Sequence, residues 1–494
     1  LWDKIYKFVE NWIIERGMDA AVINEVFSGL FHVLYLAVIL VTIFIVILDN
    51  RNPVKTMAWI LVLFFLPVIG WFLYYFLGRS TRKERLITRK GYSRLSKRPV
   101  QAFQQQDTSF QWSELNRLGD FFYRVNSALL FSGNKVDVFT DGHTMLSELI
   151  RSIAQARHHI HLQFYIFEDD PMGRLLRDLL IDKVRQGVQV RLLYDDVGCW
   201  KVSPMFYDDM LCEGIEVQSF LKVRFPRFTS KVNYRNHRKI VVIDGKVGFI
   251  GGMNIAERYL HGLGWGKWRD THVRITGKAV YGLQTAFLTD WYAMDRTLLT
   301  AAEFFPKIED AGDSVAQIVT SHPVGEWHDM MQGIILGLTR ARHYFYVQSP
   351  YFLPTDEVMN AFQIAALAGV DVRVMLPKRG DTFLAHKGSL SYMDDLLKAG
   401  VKVYLYRRGF LHSKMMVSDD EVASVGSVNM DFRSFEHNFE ANAFFYDRPT
   451  VLRMKNIFLA DQKDSLLLSS KVWGKRSRMN KATESIVRLF APLL

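Results

Sequence analysis

One eight-residue pattern occurs twice in this chain and constrains it more than any bulk property. The first copy is His237-Arg238-Lys239-Ile240-Val241-Val242-Ile243-Asp244 and the second is His412-Ser413-Lys414-Met415-Met416-Val417-Ser418-Asp419. Both read His-x-Lys-x-x-x-x-Asp. Each is followed at the same distance by a small-residue turn and an Asn, in Gly251-Gly252-Met253-Asn254 and Gly426-Ser427-Val428-Asn429. One match by chance is uncommon, and two with the same trailing Gly-x-x-Asn are far more so. Duplicated His and Lys suggest a phosphate-ester site built from two halves.

The motifs lie inside a longer repeat that starts near Asn126. Ala156-Arg157-His158 opens a segment ending in Phe164-Tyr165, and Ala341-Arg342-His343 opens one ending in Pro350-Tyr351. Gly187-Val188-Gln189-Val190-Arg191 matches Gly369-Val370-Asp371-Val372-Arg373, and Gly214-Ile215-Glu216-Val217 matches Gly400-Val401-Lys402-Val403. Helical patterns alternate with short runs rich in Val, Ile and Tyr. Ile240 to Ile243 and Met415 to Val417 read as strands, so the His and Lys two residues apart point to one face. The expected fold is α/β, with helices on both sides of a sheet. It comprises two duplicated α/β/α lobes, 125–305 and 306–494, facing each other across a cleft.

The chain has 494 residues, 49% of them apolar and 14% aromatic, which hints at membrane contact. Gly29 to Leu48 and Thr56 to Leu77 are almost wholly apolar, each long enough to cross about 30 Å of hydrocarbon as a helix. Only Asp49 to Lys55 separates them, so the expectation is a transmembrane hairpin over 29–78, bent at Pro67 and Gly70. The linker 79–124 opens with a basic run: Arg79, Arg82, Lys83, Arg85, Arg89, Lys90, Arg94, Lys97 and Arg98 against Glu84 alone. By the positive-inside rule both hairpin ends and both lobes face the cytoplasm, in a multi-pass protein. In the segment 1–28, Trp2, Ile5, Phe8, Val9, Trp12 and Ile13 recur at helical spacing, as in a helix lying on a bilayer or packing on its neighbours. The net charge of +11 favours anionic partners, whether nucleic acid or acidic lipid.

Phosphodiester exchange needs a nucleophile, a proton donor for the leaving alkoxide, and positive charge around the phosphoryl oxygens. One of His237 and His412 can attack phosphorus while the other handles protons. Lys239 and Lys414 supply fixed charge, and Asn254 and Asn429 further hydrogen bonds. A nucleophilic imidazole needs its other nitrogen held by an acceptor, and Asp270 and Glu440 are the candidates. Asp244 and Asp419 complete the motif set, but standing at the far end of a strand they shape the site more than they react. Lys222, Arg224, Arg227, Lys231 and Arg235, interleaved with Phe225, Phe228 and Tyr234, read as a loop for headgroups or for single-stranded nucleic acid. Arg407 and Arg408 are ambiguous in the same way. Cys199 and Cys212 are too few for a disulfide framework, and no His/Cys cluster has metal spacing, so no metal or cofactor is expected and chelators should leave activity unchanged.

From about Val125 to the end, the paired motifs resemble the phospholipase D superfamily. Asn52-Pro53, Leu66-Pro67-Val68-Ile69-Gly70, Asn429-Met430-Asp431-Phe432-Arg433-Ser434-Phe435 through Asn438-Phe439-Glu440, and Arg488-Leu489-Phe490-Ala491-Pro492-Leu493-Leu494 make it similar to the bacterial cardiolipin synthase family. The resemblance implies metal-independent transfer of a phosphatidyl group between two phosphatidylglycerol molecules at the bacterial inner membrane, giving cardiolipin and glycerol. It also implies that His237 is the nucleophile and His412 the acid and then the base; sequence symmetry alone leaves that choice open. Gly252, where the second motif has Ser427, suggests unequal halves. Nucleic acid is not an expected partner, and a homo-oligomer stays open. The competing readings are a hydrolysing or otherwise transferring phospholipase D, a tethered nuclease, and a lipid-organising scaffold without activity.

Overall fold

The computed structural model describes residues 20–49, 53–74, 117–223, 233–325 and 327–491. The segment 1–19, the basic run of 79–98 and the loop from Arg224 to Lys231 lie outside the described residues. The helices up to Tyr74 belong to one compact unit, and nearly all of the chain from 117 onward to another.

In the first unit, the helix Ala20–Asp49 contains Phe27–Leu48, the one span among the described residues long and apolar enough to cross a membrane. The expected second span is not one helix. At Leu66 the backbone leaves helical geometry (φ −134°, ψ 64°). Pro67 explains this, because its ring disfavours the helical conformation at the residue before it and it has no amide hydrogen to donate. The stretch becomes Pro53–Phe65 and Pro67–Leu73. Of the expected two-span hairpin, the first span is supported, and the second stretch folds against it with the bend expected at Pro67. Val46, Leu63 and Tyr74 form the contact, with the Trp59 and Tyr74 rings 5.4 Å apart.

The second unit is the duplicated α/β body. Its first half contributes β1 (Leu130–Phe139), β2 (His159–Phe164), β3 (Gln189–Asp195), β4 (Glu216–Phe220), β5 (Arg235–Asn236), β6 (Ile240–Ile243), β7 (Val247–Gly251), β8 (Lys267–Arg269) and β9 (His272–Thr276). The second half contributes β10 (Ser314–Ser321), β11 (Tyr344–Gln348), β12 (Phe352–Leu353), β13 (Asp371–Pro377), β14 (Lys402–Tyr406), β15 (Gly409–Leu411), β16 (Met415–Ser418), β17 (Val422–Gly426), β18 (Met430–Asp431), β19 (Asn438–Phe445) and β20 (Ser465–Leu467). The main sheet runs β20-β14-β13-β11-β16-β17-β19-β10-β1-β9-β7-β6-β2-β3-β4. Read outward from the antiparallel β1–β10 junction, the two halves have the same order, with β20 as an extra edge strand.

Alternation along the motif strands divides the core. Ile240 and Val242, with Met415 and Val417, enter one cluster shared by both halves under the helices Val280–Asp295 and Arg448–Lys463. Val241 and Ile243 point the other way, into a core built mainly from the first half, and Met416 points into one built mainly from the second. Strands buried on both faces explain why the motif runs are continuously apolar rather than alternating. Each such side chain contributes about 1.5–3 kcal/mol by burial, enough to fix the strand that follows each motif histidine and lysine.

Candidate active site

The aspartates that close the two motifs are structural staples. Asp244 and Asp419 both adopt a left-handed backbone, each with φ 53°. Asp244 accepts from the amides of Arg157 (2.9 Å), His158 (2.8 Å) and His159 (3.0 Å). Asp419 accepts from Arg342 (2.7 Å), His343 (3.0 Å) and Tyr344 (2.8 Å). Each thereby locks the start of β2 or β11 beside the motif strand. An extended chain separates each from its histidine by on the order of 20 Å, so each aspartate stands at the far end of its motif strand from the His and Lys.

The other ends of the motifs are clasped crosswise. β5 pairs in parallel with β19 of the second half, and β15 with β8 of the first. The His237 amide donates to the Phe439 carbonyl (2.9 Å) and the His412 amide to the Arg269 carbonyl (2.7 Å). One residue further, His237 Nδ1 lies 3.0 Å and 3.1 Å from the two Glu440 oxygens, and His412 Nδ1 lies 2.6 Å from Asp270 Oδ2. A carboxylate only accepts, so Nδ1 carries the proton in each ring and Nε2 keeps its lone pair. Lys239 Nζ donates to the His237 carbonyl (2.5 Å) and Lys414 Nζ to the His412 carbonyl (2.6 Å), which fixes both ammonium groups beside the imidazoles.

These groups act as one cluster. Burial is the main force on both histidines and, with Lys239 and Lys414 close to each, lowers His237 to about 4 and His412 to about 3. Burial also drives Lys239 well below its usual range and Lys414 down to about 8. Asp270 and Glu440 are pushed up by burial, but the partner histidine and lysine more than cancel this and both finish below the ordinary carboxylate value. The resting site thus holds neutral, oriented imidazoles between two lysines and two ionised carboxylates.

The trailing residues distinguish the halves. The Asn254 carboxamide is occupied, accepting from the Ile166 amide (3.0 Å) and donating to the Tyr259 hydroxyl (2.6 Å). Asn429 Oδ1 is buried without a hydrogen-bond partner. A Cβ on Gly252 would lie 2.1 Å from Asp270 Oδ1, so this position leaves room for the short carboxylate. Glu440, one methylene longer, coexists with Ser427, whose hydroxyl takes the Ala441 amide (3.0 Å) and helps keep the Glu440 carboxyl ionised. Among the described residues, no group of three or more His, Cys, Asp or Glu could hold a metal ion.

A supporting layer escaped the sequence reading. Arg238 pairs with Asp290 (2.6 Å) and donates to the Glu440 carbonyl (3.0 Å); Arg269 pairs with Asp461 (2.7 Å) and donates to the Asp270 carbonyl. Gln163 and Gln348 donate to the same two aspartates, at 2.5 Å and 2.7 Å. A signal existed, because Gln163 and Gln348 occupy equivalent strand ends in the two repeats. Aromatic walls also went unread. The Tyr165 ring stands 5.1 Å from His237, and the Tyr259 and Trp268 rings stand 6.0 Å and 5.1 Å from His412.

A family model described as "Cardiolipin synthase, PLD-like domain" matches residues 149–291 and 334–462, and one described as "Phospholipase_D-nuclease N-terminal" matches 33–79. A cardiolipin synthase of Alkalihalophilus pseudofirmus is 37% identical over 499 residues, covering 99% of this chain and 95% of its own. The major cardiolipin synthase of Bacillus subtilis is 38% identical over 484 residues, covering 96% and 100%. The chain belongs to the cardiolipin synthase family. The two segments matched to that family's domain contain the whole cluster, with His237, Lys239 and Asp270 in one and His412, Lys414 and Glu440 in the other. The crystal structure of a phosphatidylserine synthase from Haemophilus influenzae has a similar fold, with a TM-score of 0.57 at 14% identity over 76% of this chain and 98% of that one. The spanning helix and the membership of the cardiolipin synthase family together associate the chain with a membrane.

Proposed function

We propose that this enzyme makes cardiolipin by moving a phosphatidyl group from one phosphatidylglycerol to another through a phosphohistidine. The observation that carries the reading is the pair of imidazoles, each held at Nδ1 by a carboxylate from the opposite half and flanked by two lysines. His237 Nε2 attacks phosphorus and the bond to glycerol breaks. His412 protonates the leaving alkoxide, and Lys239 and Lys414 balance charge on the phosphoryl oxygens. Burial, and then the charge of Lys414, disfavours protonation of His412, and an arriving phosphodiester anion opposes the second of these. A hydroxyl of the second phosphatidylglycerol then gives its proton to His412 and attacks phosphorus, and the P–N bond breaks. His237 is assigned the attack because the resemblance to the phospholipase D superfamily implies a nucleophile in the first motif.

The lobes 125–305 and 306–494 act together on the cytoplasmic side of a bacterial inner membrane, the side to which the basic run of 79–98 assigns them. Purified protein in mixed micelles with phosphatidylglycerol as the sole phospholipid tests the reading by mass spectrometry. Cardiolipin plus glycerol is expected. Phosphatidic acid as the main product would overturn it in favour of a hydrolase.

A further inference from the structure

The helix Arg478–Arg488 takes no part in the cluster above, yet its sequence is strongly biased. Between Ser469 and Ala491 stand Lys471, Lys475, Arg476, Arg478, Lys481 and Arg488 against the single acid Glu484. Inward, Val487 and Glu484 are buried, and Arg476 and Arg488 are tied down by Asp394 (3.2 Å) and Asp395 (2.9 Å). Outward, Met479 is 76% exposed, Ile486 58%, Leu489 78% and Phe490 51%. Met479 and Ile486 stand two turns apart on one face of the helix, and Leu489 and Phe490 follow directly in the turn that ends it. Lys471, Lys475, Arg478 and Lys481 are exposed around it. A soluble surface seldom aligns large apolar side chains within a ring of cations, whereas a helix lying in a lipid interface requires that arrangement.

The buried side of this helix joins it to the second half of the body. The helix packs against Phe383–Leu390, with Lys387 Nζ 4.0 Å from Glu484. Phe383 and Leu384, at the start of that second helix, are also exposed. Two residues before Phe383, Asp381 accepts from the Tyr351 hydroxyl (2.6 Å), and its charge is felt by Lys414.

We infer that the outward face of Arg478–Arg488, continued by Phe383 and Leu384, is an interfacial docking surface that seats the catalytic body on an anionic phospholipid bilayer. The inference rests on the phosphatidyl-transfer reading. Its cations meet phosphatidylglycerol headgroups, its apolar stripe enters the acyl boundary, and the nearby Asp381–Tyr351 edge opens toward the lipid that must enter.

The test places an environment-sensitive fluorophore at Ile486→Cys in a Cys212→Ser background, with the full-length chain reconstituted in phosphatidylglycerol vesicles. A blue shift and quenching by brominated acyl chains are expected, both weaker in phosphatidylcholine vesicles or high salt. A companion variant, Met479→Ser/Ile486→Ser/Leu489→Ser, should lose cardiolipin formation about tenfold on phosphatidylglycerol bilayers yet keep turnover of monomeric short-chain phosphatidylglycerol. A water-like label in every vesicle overturns the inference, as does a shielded label whose signal follows protein concentration and ignores bromine, since a second copy of the chain would then cover the face. Absence of cardiolipin from the unsubstituted protein on both substrates would overturn the transfer reading instead, and the fluorescence would still report docking.

Discussion

Glu440 holds the imidazole of His237, 203 residues earlier in the chain, with its two oxygens 3.0 Å and 3.1 Å from Nδ1. Asp270 does the same for His412, 142 residues later, at 2.6 Å. Replacing either carboxylate by its amide leaves the shape but allows the ring to take the wrong tautomer. Glu440→Gln and Asp270→Asn should each lower kcat about 10²–10⁴-fold with a much smaller effect on KM. Steady-state kinetics on phosphatidylglycerol micelles read this, and a drop confined to KM would contradict the orienting role.

The division of labour between the histidines is visible as trapped intermediate. His412→Asn should let glycerol leave slowly but leave no efficient base for the second alcohol, so labelled phosphatidyl groups accumulate on the peptide containing His237. Label on the His412 peptide in a His237→Asn protein, and none in the reverse case, would exchange the roles.

Asp244 and Asp419 each accept three backbone amides at a left-handed turn. Asp244→Ala and Asp419→Ala should therefore cost about 1–2 kcal/mol of stability, as lost caps do, with kcat below the unfolding range nearly intact. Thermal melts paired with low-temperature assays separate this outcome from a chemical role, which would remove activity without shifting the melt.

Gly252 faces Asp270 with no room for a Cβ. Gly252→Ser should push the carboxylate off His412 and reduce kcat about 10²-fold or more, whereas Ser427→Gly on the other side should be milder because only a hydroxyl is lost. Equal effects from the two substitutions would contradict the steric account.

Burial keeps several imidazoles neutral. It lowers His159, His237 and His272 to about 4 and His412 to about 3, and it holds His161 well below 6.5. A base whose folded pKa is depressed binds a proton more readily when unfolded, so its contribution is complete above about 6.5 and is lost as pH falls toward 4. Each such group adds a slope of up to about 1.4 kcal/mol per pH unit. Asp329 and Asp431, raised by burial to about 6, act in the opposite sense but are fewer. The melting temperature should fall between pH 6.5 and 4.5, and His159→Gln/His161→Gln should flatten that slope. A melting temperature independent of pH across this range would contradict the account.

Much of this was legible in the sequence because duplication writes the fold twice. The repeats marked two equivalent α/β halves, and the interval from each motif to Asp270 or Glu440 marked both acids as candidate imidazole partners. Which histidine each acid serves was not legible, since the crossed β5–β19 and β15–β8 pairings join segments far apart in the chain. The bend at Pro67 was legible, because a proline disfavours helical geometry at the residue before it, and the structure places that break at Leu66. The Arg238–Asp290 and Arg269–Asp461 braces were hidden by isolated charges within apolar helices and strands, whose partners only the tertiary fold reveals.

The crossed clasp removes the usual benefit of having two copies. After a duplication, one half can ordinarily decay while the other carries on. Here a lesion at Glu440 disarms His237 and one at Asp270 disarms His412, so damage to either half reaches the other's reactive ring. Neither repeat is a spare. The pair is inherited as a single indivisible machine, and a fragment carrying one motif could regain a complete site only by pairing with another such fragment.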